Sequence, residues 1–332
     1  MNNLKVINKS NLKHIIQSFS NKKICAMVKS NAYGHGIETI VSTINDEVDF
    51  FGVVNIQEAK RVRAISEKPI LICSKTSDFQ TCKDNNFDIM IESAEDLKTC
   101  LTLEYTKNLH LKIDCGMNRF GCKNAEELKK INTLLESNHI TLKSICTHFS
   151  NTENKKITQK QYKKFCDLQS EISQSTSICF GGSGIANYPF KFDILRLGIG
   201  LYGYGNGLKP VLKISSYVNK IFYLEKGEFV GYGKFGKIKK SGYFAIVPIG
   251  YGDGLRRNLS NKLVVKINKK EYQAVGNICM DCVFVYVDET INVGDEVTIM
   301  DNAEIMAKQL KTISYEVLTG FSNARAETIL DE

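Results

Sequence analysis

The sequence has no apolar run long enough to span a bilayer, which takes about 20 residues in a helix. Its first residues, Met1 to Lys9, are polar and lack the apolar centre of a secretory signal peptide. A soluble, cytoplasmic protein with no membrane partner is therefore expected. No basic stripe with interleaved aromatics accompanies the net charge of +8, so nucleic acid is not an expected partner. A mild positive field of this kind can still draw in small anions. The eleven cysteines are odd in number and show no framework, which points to reduced thiols rather than disulfide staples. Cys279-Met280-Asp281-Cys282 is a CxxC without a second such pair or a His pair at zinc spacing, and its flanks look like strand. Neither metal binding nor redox use is expected of it. No Gly-x-Gly-x-x-Gly follows the first strand, which argues against dinucleotide binding. Nothing is low-complexity, and no linker is long enough to be disordered.

What is present is an alternation. With 332 residues the chain is long enough for one large domain or two ordinary ones. From about residue 23 to 200, short β-like runs alternate with helical patterns. The runs are Ile24–Val28, Phe50–Val54, Ile70–Cys73, Phe87–Ile91, Leu109–Ile113, Leu142–Thr147, Ile178–Phe180 and Ile194–Leu197. Helical patterns include Glu126–Leu135, with Asn124 as a candidate cap and Glu127 three residues on, and Gln159–Ile172. Alternation over this length means a parallel sheet. Eight repeats predict a closed (β/α)₈ barrel of the TIM type, with a doubly wound open sheet as the rival. After about Gly207 the texture changes to strands separated by turn signals, from Val211–Tyr223 to Glu296–Met300. The expected division is an α/β barrel over 1–207, followed by a mainly-β C-terminal domain over 208–332, closed by helical stretches at Ala303–Leu310 and Tyr315–Leu318.

In such a barrel the active site gathers at the C-terminal ends of the strands. Lys29 and Tyr33 follow the first strand, in a stretch where Asn31, Gly34 and Gly36 allow a sharp turn. An amine there is placed for Schiff-base chemistry, since a desolvated lysine loses its proton more readily. Lys112, Asp114 and Arg119 end the fifth strand, and His148, Ser150 and Asn151 the sixth. Gly181-Gly182-Ser183-Gly184 ends the seventh, and Arg196 with Gly198, Ile199 and Gly200 the eighth. The loops after the last two strands are the usual phosphate site of these barrels. A phosphate site beside a strand-end lysine points to pyridoxal 5'-phosphate. Singly, each residue reads more simply: a surface lysine, a satisfied histidine, an ion-paired arginine, a ring-packed Tyr232.

Taken jointly, these motifs resemble those of the alanine racemases, pyridoxal-phosphate enzymes with a barrel and a β-rich second domain. The resemblance runs through Ala26-Met27-Val28-Lys29-Ser30-Asn31-Ala32-Tyr33-Gly34-His35-Gly36, Leu109-His110-Leu111-Lys112-Ile113-Asp114-Cys115-Gly116-Met117-Asn118-Arg119-Phe120-Gly121, Thr147-His148-Phe149 and Arg196-Leu197-Gly198-Ile199-Gly200-Leu201-Tyr202-Gly203. It continues through Gly231-Tyr232-Gly233, Ile249-Gly250-Tyr251-Gly252-Asp253-Gly254 and Gly276-Asn277-Ile278-Cys279-Met280-Asp281. The resemblance implies that Lys29 holds the cofactor and is one of two bases, with Tyr232 the other. It implies that Tyr33, Ser183, Gly198 and Ile199 bind the phosphate, and that Arg196 faces the pyridine nitrogen with His148 beside the ring. Arg119 and the backbone N–H of Met280 would take the substrate carboxylate. Lys112 would be a lysine open to carbamylation, and Tyr251 would narrow the entrance. Tyr232, Tyr251 and Met280 would serve the partner's site in a homodimer, and the activity would be L-alanine to D-alanine interconversion feeding peptidoglycan. Ungapped matching puts Asn323 where many members carry a phosphate-contacting tyrosine, Ala324 and Asn277 where arginines are usual, and Gly182 where an asparagine is usual.

Two alternatives stay open on sequence grounds. One is a same-fold enzyme that racemises or decarboxylates another amino acid. The other is a non-catalytic cofactor carrier.

Overall fold

Each of the eight apolar runs becomes a strand, and the eight close on themselves. The computed structural model describes residues 2–205 and 207–331. A strand absent from the sequence reading comes first: β1, Asn3–Asn8. The barrel strands follow as β2 (Lys23–Met27), β3 (Phe50–Val53), β4 (Ile70–Ile72), β5 (Asp88–Ile91), β6 (Leu109–Lys112), β7 (Ser144–His148), β8 (Ser177–Gly181) and β9 (Ile194–Leu197). All pair in parallel in sequence order, and β9 returns to β2 with Cys25 opposite Arg196. The open-sheet rival is thereby excluded. Residues of β4, β5, β6 and β9 are buried throughout, as parallel strands covered on both faces must be. That double burial is why β4 and most of β5 read as continuous apolar runs, while β6 and β9 carry the buried polar residues His110, Lys112 and Arg196 among apolar ones.

The chain divides into two compact units. The barrel unit is Lys13–Lys29 with Ile40–Leu208. The other unit combines the chain from Lys209 onward with the N-terminal residues up to Leu12 and the segment Ser30–Thr39. Its strands are β10 (Leu212–Tyr217), β11 (Lys220–Leu224), β12 (Phe229–Val230), β13 (Gly236–Lys237), β14 (Gly242–Val247), β15 (Val264–Ile267), β16 (Lys270–Val275), β17 (Val283–Val287), β18 (Glu296–Met300) and β19 (Ala326–Asp331). Nine strands form one sheet in the order β11-β14-β17-β16-β15-β18-β10-β1-β19, and β12 pairs with β13.

Three local readings are corrected. The run Val211–Tyr223 is two strands, because β10 pairs with β18 while β11 pairs with β14 at the far end of the sheet. The break falls at Val218 and Asn219, whose N–H groups donate to Asp295 O and Ile246 O. β1 and β19 were missed: β1 turns Lys5 as well as Ile7 inward, which breaks the apolar pattern, and β19 is mostly exposed. Asn124 does cap its helix, Ala125–Ser137, but by accepting from Glu126 N, and the Glu127 carboxylate goes elsewhere, accepting from Ala94 N at 2.8 Å. The capping box foreseen there gives way to a tether between successive helices.

Candidate active site

Lys29 stands just beyond β2. The strand end that carries it is fixed by the Tyr202 hydroxyl, which donates to Met27 O at 2.8 Å, and by Val28 N, which donates to Gly52 O at 2.8 Å. Across the barrel mouth, Lys112 ends β6, His148 ends β7, Gly181 ends β8 and Arg196 lies in β9. Arg196 is 4% exposed. It donates to Thr147 O, to Cys179 O at 3.3 Å and to Cys179 Sγ at 2.9 Å. Gly181 is what lets His148 and Arg196 converge: a Cβ there would lie 2.3 Å from His148 Nδ1 and 2.5 Å from Arg196 Nη2.

The electrostatics of this mouth are lopsided. Burial pushes the His148 imidazole down to about 2, helped by the positive charges of Arg196, Lys112, Arg119 and Lys29. Four cations thus bear on one neutral ring. Burial, with Arg196 next in effect, lowers the Lys112 amine to about 8. Arg119 lies on the loop after β6, which wraps around Asp114; the Asp114 carboxylate accepts from the N–H groups of Gly116, Met117 and Arg119. Lys112, Asp114, Arg119 and His148 line one cleft with Cys73 and Met117. A region this rich in fixed positive charge is built to receive an anion.

The loops after β8 and β9 supply a second feature of the same kind. Gly200 N donates to Ser183 Oγ at 3.0 Å, and a Cβ on Gly200 would come within 2.8 Å of Ser183 Cβ. Ser183, Gly198 and Ile199 are therefore held side by side on two short turns, Ser183–Asn187 and Ile199–Tyr202.

In the other unit, Ser30, Asn31, Ala32 and Tyr33 all adopt φ near +53°, one turn of left-handed helix built without glycine. Each such residue costs about 1–2 kcal/mol, so the surroundings must impose the turn. Gly36 N donates to Asn31 O at 3.0 Å, Ile37 N to Asn31 Oδ1 at 3.0 Å, and Asn31 Nδ2 to Ser322 O at 3.2 Å. Buried Lys5 donates to Gly34 O at 3.3 Å and to Ser322 O at 3.4 Å. Gly34 has φ +85° and no room for a side chain, since a Cβ would meet Leu318 O at 2.1 Å. The Tyr33 ring lies 5.9 Å from that of Tyr315.

The same unit presents Tyr232, 73% exposed, with Phe235, Tyr251 and Met280 also exposed. Their loops are joined: Asn277 Nδ2 donates to Tyr232 O, Tyr251 N to Cys279 O, and Gly252 N to Met280 O. Cys279 and Cys282 bracket the Met280 turn, with Cys279 N donating to Cys282 O at 3.0 Å.

Comparison with known proteins agrees over both units. Residues 7–206 match the family described as alanine racemase, N-terminal domain, and residues 211–329 match alanine racemase, C-terminal domain. The chain belongs to the alanine racemase family. The alanine racemase of Francisella philomiragia is 32% identical, with 96% of this chain and 97% of that one covered. That of Borreliella burgdorferi is 31% identical, over 98% and 96%. Among solved structures, the alanine racemase from E. faecalis superposes with a TM-score of 0.92 at 25% identity, covering 99% and 98%. The alanine racemase of Clostridium difficile 630 gives 0.89 at 30%, covering 100% and 96%.

Within this racemase-family chain, the barrel brings together Lys29, Lys112, Arg119, His148 and Arg196, and separately Ser183, Gly198 and Ile199. Tyr33, Tyr232, Tyr251 and Met280 lie in the other unit, and so does Asn323, on the C-terminal segment next to Ser322. Two groups escaped the sequence reading. One is a buried set at the N-terminal end of the barrel: His110 Nδ1 with Ser144 Oγ at 2.6 Å, His110 Nε2 with Asp88 Oδ2 at 3.2 Å, and Lys143 Nζ on Asp88 Oδ1 at 2.7 Å. The only signal for it was polar residues at the starts of otherwise apolar strands. The other is Arg325, which bridges Asp253 and Asp281.

Proposed function

We propose that this protein interconverts L- and D-alanine with pyridoxal 5'-phosphate, by moving the α-proton between Lys29 on one face of the substrate and Tyr232 on the other. The observation that carries the reading is the barrel mouth, where Lys112, Arg119 and His148 line one cleft, Arg196 meets His148 at Gly181, and Ser183 and Gly200 are hydrogen-bonded on the loops after β8 and β9.

The residues fit the cofactor. A phosphorylated pyridine is anionic and flat. The mouth offers fixed cations, a hydroxyl and two glycine-bearing turns for the phosphate, and a His148–Arg196 pair drawn together over Gly181. Pyridoxal phosphate, when bound, supplies the electron sink that makes an amino acid's α-carbon acidic. Lys29 would hold it through the amine. Tyr33, Ser183, Gly198 and Ile199 would bind the phosphate. Arg196 would face the pyridine nitrogen as a hydrogen-bond donor that keeps its own proton, since a guanidinium does not give one up. His148, neutral and next to Gly181, would flank the ring.

Arg119 and Met280 N–H would hold the substrate carboxylate, so that the α-hydrogen points at a base. A carbamate on Lys112 would give Arg119 an anionic partner. Free amines and phenols have pKa values of about 10, so both bases need neighbouring cations or burial to act at neutral pH. The exposed Tyr232, Tyr251 and Met280 are offered to a second copy of the chain, which makes the active form a homodimer with shared sites. Exposed large apolar side chains on loops that are hydrogen-bonded together suit an interface. We place the enzyme in the cytoplasm, where free cysteines stay reduced and D-alanine is made for peptidoglycan.

The test is formation of D-alanine from L-alanine by purified protein with added cofactor, read by chiral chromatography, alongside Lys29→Ala. Activity in the parent and none in the variant is expected. A parent that binds cofactor and yields no D-alanine, or that turns over another amino acid faster in a substrate panel, contradicts the reading.

A further inference from the structure

We propose that Arg325 is a positioning residue for substrate binding: its guanidinium clamps the turn carrying Met280 to the turn carrying Tyr251, and so fixes the direction of the Met280 N–H. The inference rests on the reading of Met280 given above and goes beyond it in naming what aims that group.

The geometry is specific. Arg325 Nε lies 2.8 Å from Asp253 Oδ1, and Nη2 lies 3.1 Å from Asp253 Oδ2, a two-point grip on one carboxylate. Its third nitrogen, Nη1, reaches Asp281 Oδ1 at 2.8 Å. Asp281 is the residue immediately after Met280, and Asp253 closes the turn that starts at Tyr251. Asp253 is 2% exposed, and its Oδ2 also accepts from Gly250 N at 2.9 Å. The two turns meet backbone to backbone: a Cβ on Gly250 would lie 2.3 Å from both Cys279 O and Met280 O.

A planar fork can grip the Asp253 carboxylate at two points while its third nitrogen holds Asp281; a lysine is a point charge and cannot reproduce the two-point grip. The contact on buried Asp253 anchors Arg325. The contact on exposed Asp281 is the part that holds the Met280 turn in place. Arg325 stands directly before β19, on the C-terminal segment that also supplies Ser322 to the Tyr33 turn.

A merely stabilising arginine would give the same contacts, so the test separates the arms. Asp281→Asn strips the exposed arm of its charge, leaving a neutral acceptor, and keeps the buried grip intact. Arg325→Lys keeps the charge and loses the fork. The probe is propionate, which has alanine's carboxylate and carbon skeleton without the amine. Both variants are expected to weaken propionate inhibition and to raise KM for alanine by about fivefold, with kcat changed less. Amide exchange in the peptide spanning Cys279–Cys282 should become faster, and the melting temperature of Asp281→Asn should stay near that of the parent. Unchanged propionate affinity and KM in both variants overturns the proposal. If the parent neither racemises alanine nor binds propionate, the functional reading has failed instead. Amide exchange then decides the clamp alone, and unchanged exchange at Met280 overturns it.

Discussion

A side chain at Gly181 would collide with His148: the position of its Cβ lies 2.3 Å from His148 Nδ1, and 2.5 Å from Arg196 Nη2. The last residue of β8 is thus the gap through which a histidine from β7 and an arginine from β9 approach each other. Gly181→Ala must push both outward, into the place assigned to the cofactor ring. Overpacking of this order costs about 1–3 kcal/mol, so pyridoxal phosphate should bind about tenfold more weakly or worse. Fluorescence titration of the cofactor checks it.

Lys112 gives a pH signature. Its amine falls from 10.5 to about 8, first through burial and then through Arg196. The folded protein binds this proton less tightly than the unfolded chain. Stability from this site therefore rises with pH between about 8 and 10.5 and is lowest below about 8. Lys112→Met should remove that rise, as read by denaturant titration across the window. The neutral amine is also the form that captures carbon dioxide. Native mass spectrometry in bicarbonate buffer should show one added carbon dioxide, absent in Lys112→Met.

The His110–Asp88–Ser144 set looks like a hydrolase triad and is predicted not to be one. It lies at the starts of β5, β6 and β7, the end of a barrel that serves stability, and all three side chains are buried. Asp88→Ala leaves His110 and Lys143 without their shared carboxylate, which should cost about 3 kcal/mol of stability. Cofactor affinity of the folded fraction should be unchanged. Thermal melts paired with cofactor titration separate the two effects.

The proposal that two copies share their sites makes a prediction about mixtures. Lys29→Ala and Tyr232→Phe should each be inactive as pure dimers. Unfolded together and refolded, they should regain activity, because a mixed dimer contains one site with both bases intact. Continued inactivity of a mixture shown to contain mixed dimers would assign both bases to one chain.

The barrel was legible because its strands are buried on both faces, which makes most of them largely apolar runs between helical patterns, with β6 (Leu109-His110-Leu111-Lys112) the least so. β1 was not legible, since Lys5 points inward where an apolar residue is expected, and its partners Gly34 O and Ser322 O lie far away in sequence. The left-handed turn at Ser30–Tyr33 was foreseen only as a sharp turn. Its conformation is imposed by Asn31 contacts and by the lack of space at Gly34, and not by local propensity. Lys29, Lys112, His148 and Arg196 could be placed at strand ends from sequence, but their bearing on one ring exists only once β9 has closed on β2. Roles for Tyr232, Tyr251 and Met280 came from the resemblance, because nothing in a run of exposed residues declares what they face.

The account turns on two bases acting from opposite faces, and exchange of the α-hydrogen with solvent deuterium tests this most directly. With Tyr232→Phe and bound cofactor, one enantiomer of alanine should take up deuterium and keep its configuration, while the other stays unlabelled. Equal uptake into both enantiomers, or racemisation at the parent rate, would contradict the account.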